Sequence, residues 1–127
     1  MNANPETVVR QFLSDMGRPG GLIKAIENHC AEGCRWENTG LPTAENKAAM
    51  VTMMKAFIDG YQLDHMVVEL TAIAAAGDKV LTERVDHLKK ADGTLILSIA
   101  LAGVLHVRDG RVTHWADYFD PRPFLPS

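Results

Sequence analysis

Three turn signals in the second half of the chain restrict the folds open to it. Gly77-Asp78, Asp92-Gly93 and Asp109-Gly110 recur at intervals of 15 and 17 residues. Each lies between β-favouring segments, the pattern of consecutive hairpins. The spacing predicts four antiparallel strands, over roughly residues 62–76, 79–91, 94–108 and 111–119. Strands of that length exceed the common ~5–6 residues, and long strands must curl. A curled sheet needs a cover for its concave face.

The first sixty residues supply one. Asn4 suits a helix N-cap, with Pro5 at the first helical position and Glu6 in the first turn. Val8, Val9, Phe12, Leu13 and Met16 then fall on one stripe, and Gly17 is the expected stop. A short second helix carries Leu22, Ile23 and Ile26. A third is expected from near Thr43, with Met50, Val51, Met54, Phe57 and Ile58 on one face and Gly60 at its end. Between these two helices, Cys34–Thr39 reads as a short strand followed by a Gly40-Leu41-Pro42 turn. The turn-rich tail from Asp120 is expected to wrap the rim. The predicted class is α+β: a curved antiparallel sheet forming a cone, covered by N-terminal helices, as a single domain over residues 1–127.

Composition removes several functions. The 13 basic and 16 acidic residues leave a net charge of −3, against the basic surplus of a nucleic-acid binder. The longest apolar stretch, Leu95 to Leu105, is broken by Ser98 and is too short to span a bilayer. No signal-peptide pattern is visible at the N-terminus, and two cysteines, Cys30 and Cys34, make no disulfide framework. The expected setting is cytoplasmic, with neither nucleic acid nor membrane as partner. The third long strand is apolar on both faces, with Leu95, Leu97, Ile99 and Leu101 on one and Ile96, Ala100, Ala102 and Val104 on the other. Two apolar faces need two covers, and the helices of one chain provide one, so a homodimer is expected.

Residues two apart on a strand share a face. Arg84 and Asp86, Trp115 and Asp117, and Trp36 and Asn38 are three such pairs. A two-residue Asp92-Gly93 loop puts Asp86 opposite Ile99, Arg84 opposite Leu101 and Leu88 opposite Leu97. The charged groups therefore face an aliphatic wall, where an unpaired charge is costly. A two-residue Asp109-Gly110 loop, however, pairs Asp117 with Ala102, on the wrong face. Convergence requires one extra residue between Leu101 and Trp115, for which a β-bulge at Gly103 is the natural device. The bland alternative is a surface Arg–Asp pair contributing ~0–1 kcal/mol.

The run Thr82-Glu83-Arg84-Val85-Asp86 with Trp115-Ala116-Asp117-Tyr118-Phe119-Asp120 resembles the limonene-1,2-epoxide hydrolase family. That family shares its cone-shaped fold with nuclear transport factor 2, the SnoaL-like cyclases and ketosteroid isomerase. The resemblance implies one-step addition of water to a lipophilic epoxide by an Asp-Arg-Asp array, giving a vicinal diol. It implies Asp117 as base on water, Asp86 as acid to the epoxide oxygen, Arg84 as the bridge and Asn38 as a holder of the water. The family usually has a tyrosine where this sequence has Trp36, whose indole N–H donates but cannot accept. No nucleophilic side chain, metal or organic cofactor is called for, and dimers through the convex sheet face are common in the family. Leu88, Leu97, Ile99, Leu101, Trp115 and Phe124 are the expected substrate-facing residues. Of the two acids, Asp117 near the end of the last strand is expected to be the one that meets water, and Asp86 the more enclosed.

Other motifs carry less. Cys30 and Cys34 beside His29 lack a zinc spacing. Met50, Met53 and Met54 read as core filler. His65 reads as a structural histidine and Gly20-Gly21 as a turn. Two other readings stay open on the same fold: an isomerase, dehydratase or polyketide cyclase, and a non-catalytic module that binds hydrophobic ligands.

Overall fold

In the computed structural model, which describes residues 4–126, helices α1 (Pro5–Asp15) and α2 (Leu22–His29) precede strand β1 (Cys30–Asn38). Helix α3 (Lys47–Tyr61) leads into β2 (His65–Ala76), β3 (Lys79–Lys89), β4 (Leu95–Arg108) and β5 (Arg111–Tyr118), and a 3-10 turn follows at Arg122–Phe124. The four expected strands form an antiparallel meander in one sheet of order β1-β5-β4-β3-β2. β1 joins its edge in parallel to β5, so the sheet is mixed rather than wholly antiparallel. No helix among the described residues is long and apolar enough to cross a membrane.

Local chemistry sets the helix limits. The Asn4 side chain accepts from the backbone N–H of Glu6 at 2.9 Å, a cap contributing about 1 kcal/mol. The α1 stripe of Val8, Val9, Phe12 and Leu13 is buried as expected. Helix α3 begins four residues later than its sequence pattern indicates. Ala44 is instead drawn into a two-bond bridge with the Trp36 backbone, leaving Asn46 to cap the helix through the Ala49 N–H. The helix also runs through Gly60 to Tyr61 and ends at Gln62, which takes the left-handed conformation at φ 56°. That extra residue brings Tyr61 to the cavity described below.

The core fills the space between the helices and the inner face of the sheet. Phe12, Met16, Leu22, Ile26, Met50, Val80, Leu105, Val112 and Trp115 are all almost fully enclosed. Each such side chain contributes ~1.5–3 kcal/mol of burial. Cys30 and Cys34 lie in this core as free thiols. His65, at the start of β2, pairs with Asp64 at 2.8 Å.

Bulges set the register. Thr113 is the extra residue on β5: Val107 pairs with Val112 but His106 pairs with His114. It moves Asp117 opposite Gly103, as the site requires, although the bulge falls at Thr113 and not at Gly103. In the other hairpin Lys90 and Thr94 close a three-residue loop, not the expected two-residue one. An extra residue at Ile96 compensates, so Leu88, Asp86 and Arg84 still face Leu97, Ile99 and Leu101. The same bulge turns Leu95 outward, half exposed, while Ile96 packs inward; their expected faces are exchanged.

Candidate active site

Along a strand, every second side chain points to the same face. β3 thereby presents Thr82, Arg84 and Asp86 inward, and β5 presents Trp115 and Asp117. Arg84 is 1% exposed, Asp86 3% and Asp117 5%. The guanidinium is the centre of a fork. Its Nε and Nη2 donate to Asp86 Oδ1 and Oδ2 at 3.0 and 3.1 Å, and Nη2 also donates to Asp117 Oδ2 at 2.7 Å. Two of the three pairs read from the sequence therefore converge.

Exposure does not separate the two acids, contrary to the expectation that Asp117 is the more open. Their partners do. Asp86 receives a two-point clasp from Arg84, whereas Asp117 Oδ1 accepts from the Trp115 indole Nε1 at 2.9 Å. Burial pushes the Asp117 carboxyl above the ordinary range, and Arg84 pulls it back only in part. For Arg84, burial works against the charge, but the two carboxylates outweigh it and raise the guanidinium pKa.

On the β1 side, Trp36 pairs in register with Trp115 and Asn38 with Asp117. The two indoles stack at 4.9 Å. Trp36 Nε1 and Asn38 Nδ2 are buried and have no hydrogen-bond partner among the described residues. Leaving a buried donor unmet costs about 1–3 kcal/mol, so both donors are orphans at the edge of the array.

These groups open on a cavity of about 590 Å³, counted with its mouth. Asp86, Asp117, Trp36 and Asn38 line it, with Leu88, Ile99, Leu101, Trp115 and Phe124. Leu97 does not belong to the lining: it is half-buried, packed against the core beside the Ile96 bulge. Sequence reading missed Leu41, Met54, Phe57, Tyr61, Met66 and Phe119, which complete the wall. For Met54 and Phe57 the helical stripe was visible, but core and cavity wall look alike in a periodic pattern. Phe124 reaches the mouth because Gly40, at φ 74°, lets Pro121 pack directly on the β1–α3 loop; a Cβ there would overlap the proline ring. Phe124 then meets Phe57, Tyr61 and Phe119 edge-on at 6.2, 6.0 and 5.7 Å.

A curled sheet with helices over one face is the fold of nuclear transport factor 2-like proteins. One of them, a protein of unknown function from Burkholderia pseudomallei, superposes with a TM-score of 0.77 at 13% identity, over 96% of this chain and 95% of that one. Within that class, residues 3–126 match the limonene-1,2-epoxide hydrolase catalytic domain, and the chain belongs to that family. An LEH-like epoxide hydrolase from Mycobacterium tuberculosis superposes with a TM-score of 0.75 at 26% identity, over 93% of this chain and 79% of that one. The epoxide hydrolase EphG of M. tuberculosis is 47% identical over 53 residues, 42% of this chain. That matched stretch is 34% of EphG's own length, about a third.

Proposed function

We propose that this chain, as a single domain over residues 1–127, hydrolyses a lipophilic epoxide to a vicinal diol in one step. The observation that carries the reading is the buried Asp86–Arg84–Asp117 array at the base of an apolar cavity. A binding module gains nothing from three desolvated charges, which are costly to bury.

Two carboxylates and one guanidinium sum to a charge of −1. One proton shared between the acids makes the enclosed array neutral, and two coupled acids ionise unequally. The position of the orphan donors supports a division of roles. Trp36 and Asn38 lie on β1, next to β5 and Asp117, while Asp86 lies two strands further along on β3. Water is held on the Asp117 side: Trp36 Nε1 donates to its oxygen, Asp117 accepts one of its protons, and the Asn38 amide is the third partner. Burial raises the Asp117 pKa, so its carboxylate, once ionised, is a stronger base than an ordinary one. Asp86 faces the aliphatic wall of Leu88, Ile99 and Leu101 and delivers the proton to the departing epoxide oxygen. As the water oxygen bonds to carbon, the carbon–oxygen bond of the ring breaks. Asp117 gains one proton, Asp86 loses one, and the array keeps its charge. Arg84 holds both carboxylates in line through its planar fork. Phe124, Trp115 and the aromatic mouth enclose the hydrocarbon part.

A homodimer and a cytoplasmic setting complete the proposal. Single-turnover hydrolysis in oxygen-18 water tests it over a panel of epoxides. The label is expected directly in the diol; label appearing first in a carboxylate means a covalent ester and overturns the mechanism.

A further inference from the structure

Arg84 has a third anchor besides its two acids. Its Nη1 donates to Thr82 Oγ1 at 3.0 Å, and that hydroxyl in turn donates to the Gly103 carbonyl oxygen at 3.0 Å. Thr82 is 5% exposed and lies directly opposite Gly103 across the β3–β4 ladder. Because the hydroxyl proton is committed to Gly103, a lone pair is left aimed at the guanidinium. The bond therefore has one direction only, from Arg84 to Thr82. Gly103 closes the arrangement from the other side. A Cβ built there would collide with the Asp117 carboxylate and the Arg84 guanidinium and crowd Thr82 Oγ1.

We propose that Thr82 is a positioning residue: by anchoring Nη1 it fixes the guanidinium plane, and so sets how Nη2 is divided between Asp86 and Asp117. This rests on the reading that Asp117 is the base. Nη2 is the one nitrogen shared by both acids, at 3.1 and 2.7 Å. Rotation of the plane about the Asp86 clasp lengthens the Asp117 contact first, because that contact is single whereas Asp86 is held at two points. Without the hydroxyl, a buried N–H is left unmet, and the guanidinium turns to recover a partner. Asp117 then loses the interaction that opposes its burial.

The test compares Thr82→Ser, which keeps the hydroxyl, with Thr82→Val, which keeps the shape. Aspartate labelled with carbon-13 at the carboxyl lets Asp117 be titrated by NMR, assigned with Asp117→Asn. Thr82→Ser is expected to titrate as the wild type does. Thr82→Val is expected to move Asp117 up by about 0.5–1 pH unit, a three- to ten-fold loss of acidity. Its kcat is expected to fall by about 10–100-fold, with KM within about twofold and the acid limb of the pH profile shifted upward by the same amount. A merely structural hydroxyl changes the melting temperature and leaves the limb in place. An unmoved Asp117 titration in folded Thr82→Val, or a Thr82→Ser as impaired as the valine variant, overturns the proposal. Where the valine variant does not fold, Thr82→Cys, with a weak acceptor in place of the hydroxyl, decides by the same titration. Failure of the wild type to hydrolyse any epoxide removes the reaction assignment alone, because the NMR titration needs no turnover.

Discussion

Replacing Asp86 or Asp117 with Asn keeps the volume and removes the proton traffic, so each variant should lose ~10²–10⁴-fold in turnover. Circular dichroism should show the fold retained; full activity in both would return the array to a structural role. Trp36→Tyr should keep the activity, since a hydroxyl offers the same donor and adds an acceptor; loss of all turnover would show that the indole itself is indispensable. The pH dependence follows from Asp117. Burial raises its pKa, and a base must be ionised, so activity disappears at a higher pH than for a free carboxylate of ~3.9. An acid limb of kcat/KM at or below that value would mean Arg84 outweighs burial. The catalytic candidates were legible because residues two apart on a strand had to share a face. Thr82 and Trp115 stand within the two sequence motifs, yet their bonds to Arg84 and Asp117 depend on side-chain direction that spacing does not contain.

Two strands, each with one extra residue, decide whether the site exists. Hairpin arithmetic showed that Asp117 needed one additional residue before it, and Thr113 is that residue. It fixed the number of extra residues but not the place, because any position between Leu101 and Trp115 satisfies the same count. Gly103 proved to serve close approach instead of the bulge. In the other hairpin an unforeseen loop residue and an unforeseen bulge at Ile96 cancelled, so the pairing of Asp86 with Ile99 was right while the faces of Leu95 and Ile96 were not. Helix α3 began late for a similar reason: the Ala44 bridge to Trp36 is a tertiary contact that no periodicity records. The role of Gly103 is open to test. Gly103→Ala forces a methyl into the array and should cost about 1–3 kcal/mol, with most of the turnover. Gly33→Ala, in a strand with open space around it, is the control and should leave both unchanged. Equal melting temperatures and rates for the two variants would mean the array can move aside, and that its geometry is less tightly held than the fork implies.

At the scale of the whole molecule, the helices cover only the inner face of the sheet. The outer face has an apolar centre, with Val85, Ala100, Ala102 and Val104 on β3 and β4. Leu81 and Tyr118, 47% and 56% exposed, extend it on either side. Two of its histidines are already satisfied within the sheet. His87 bonds Ser98 and Glu69 at 2.7 and 3.1 Å, and His114 bonds Glu37 at 2.7 Å. Covering this face would therefore leave few polar groups unmet, which is what an association surface requires. A second copy is the proposed occupant, since the same patch on both partners makes a two-fold contact. A stable interface needs about 800 Å² from each partner, which a face of four long strands can supply. Light scattering at tens of micromolar should give twice 13.9 kDa. Because the centre is apolar, the mass should hold at 1 M salt, where the Debye length is ~3 Å and surface ion pairs are screened. Ala102→Glu places a charge beside Glu83 and against its own copy across the two-fold axis, and should yield monomers. A wild type of 13.9 kDa, or an Ala102→Glu variant that remains dimeric, would place the contact elsewhere or remove it.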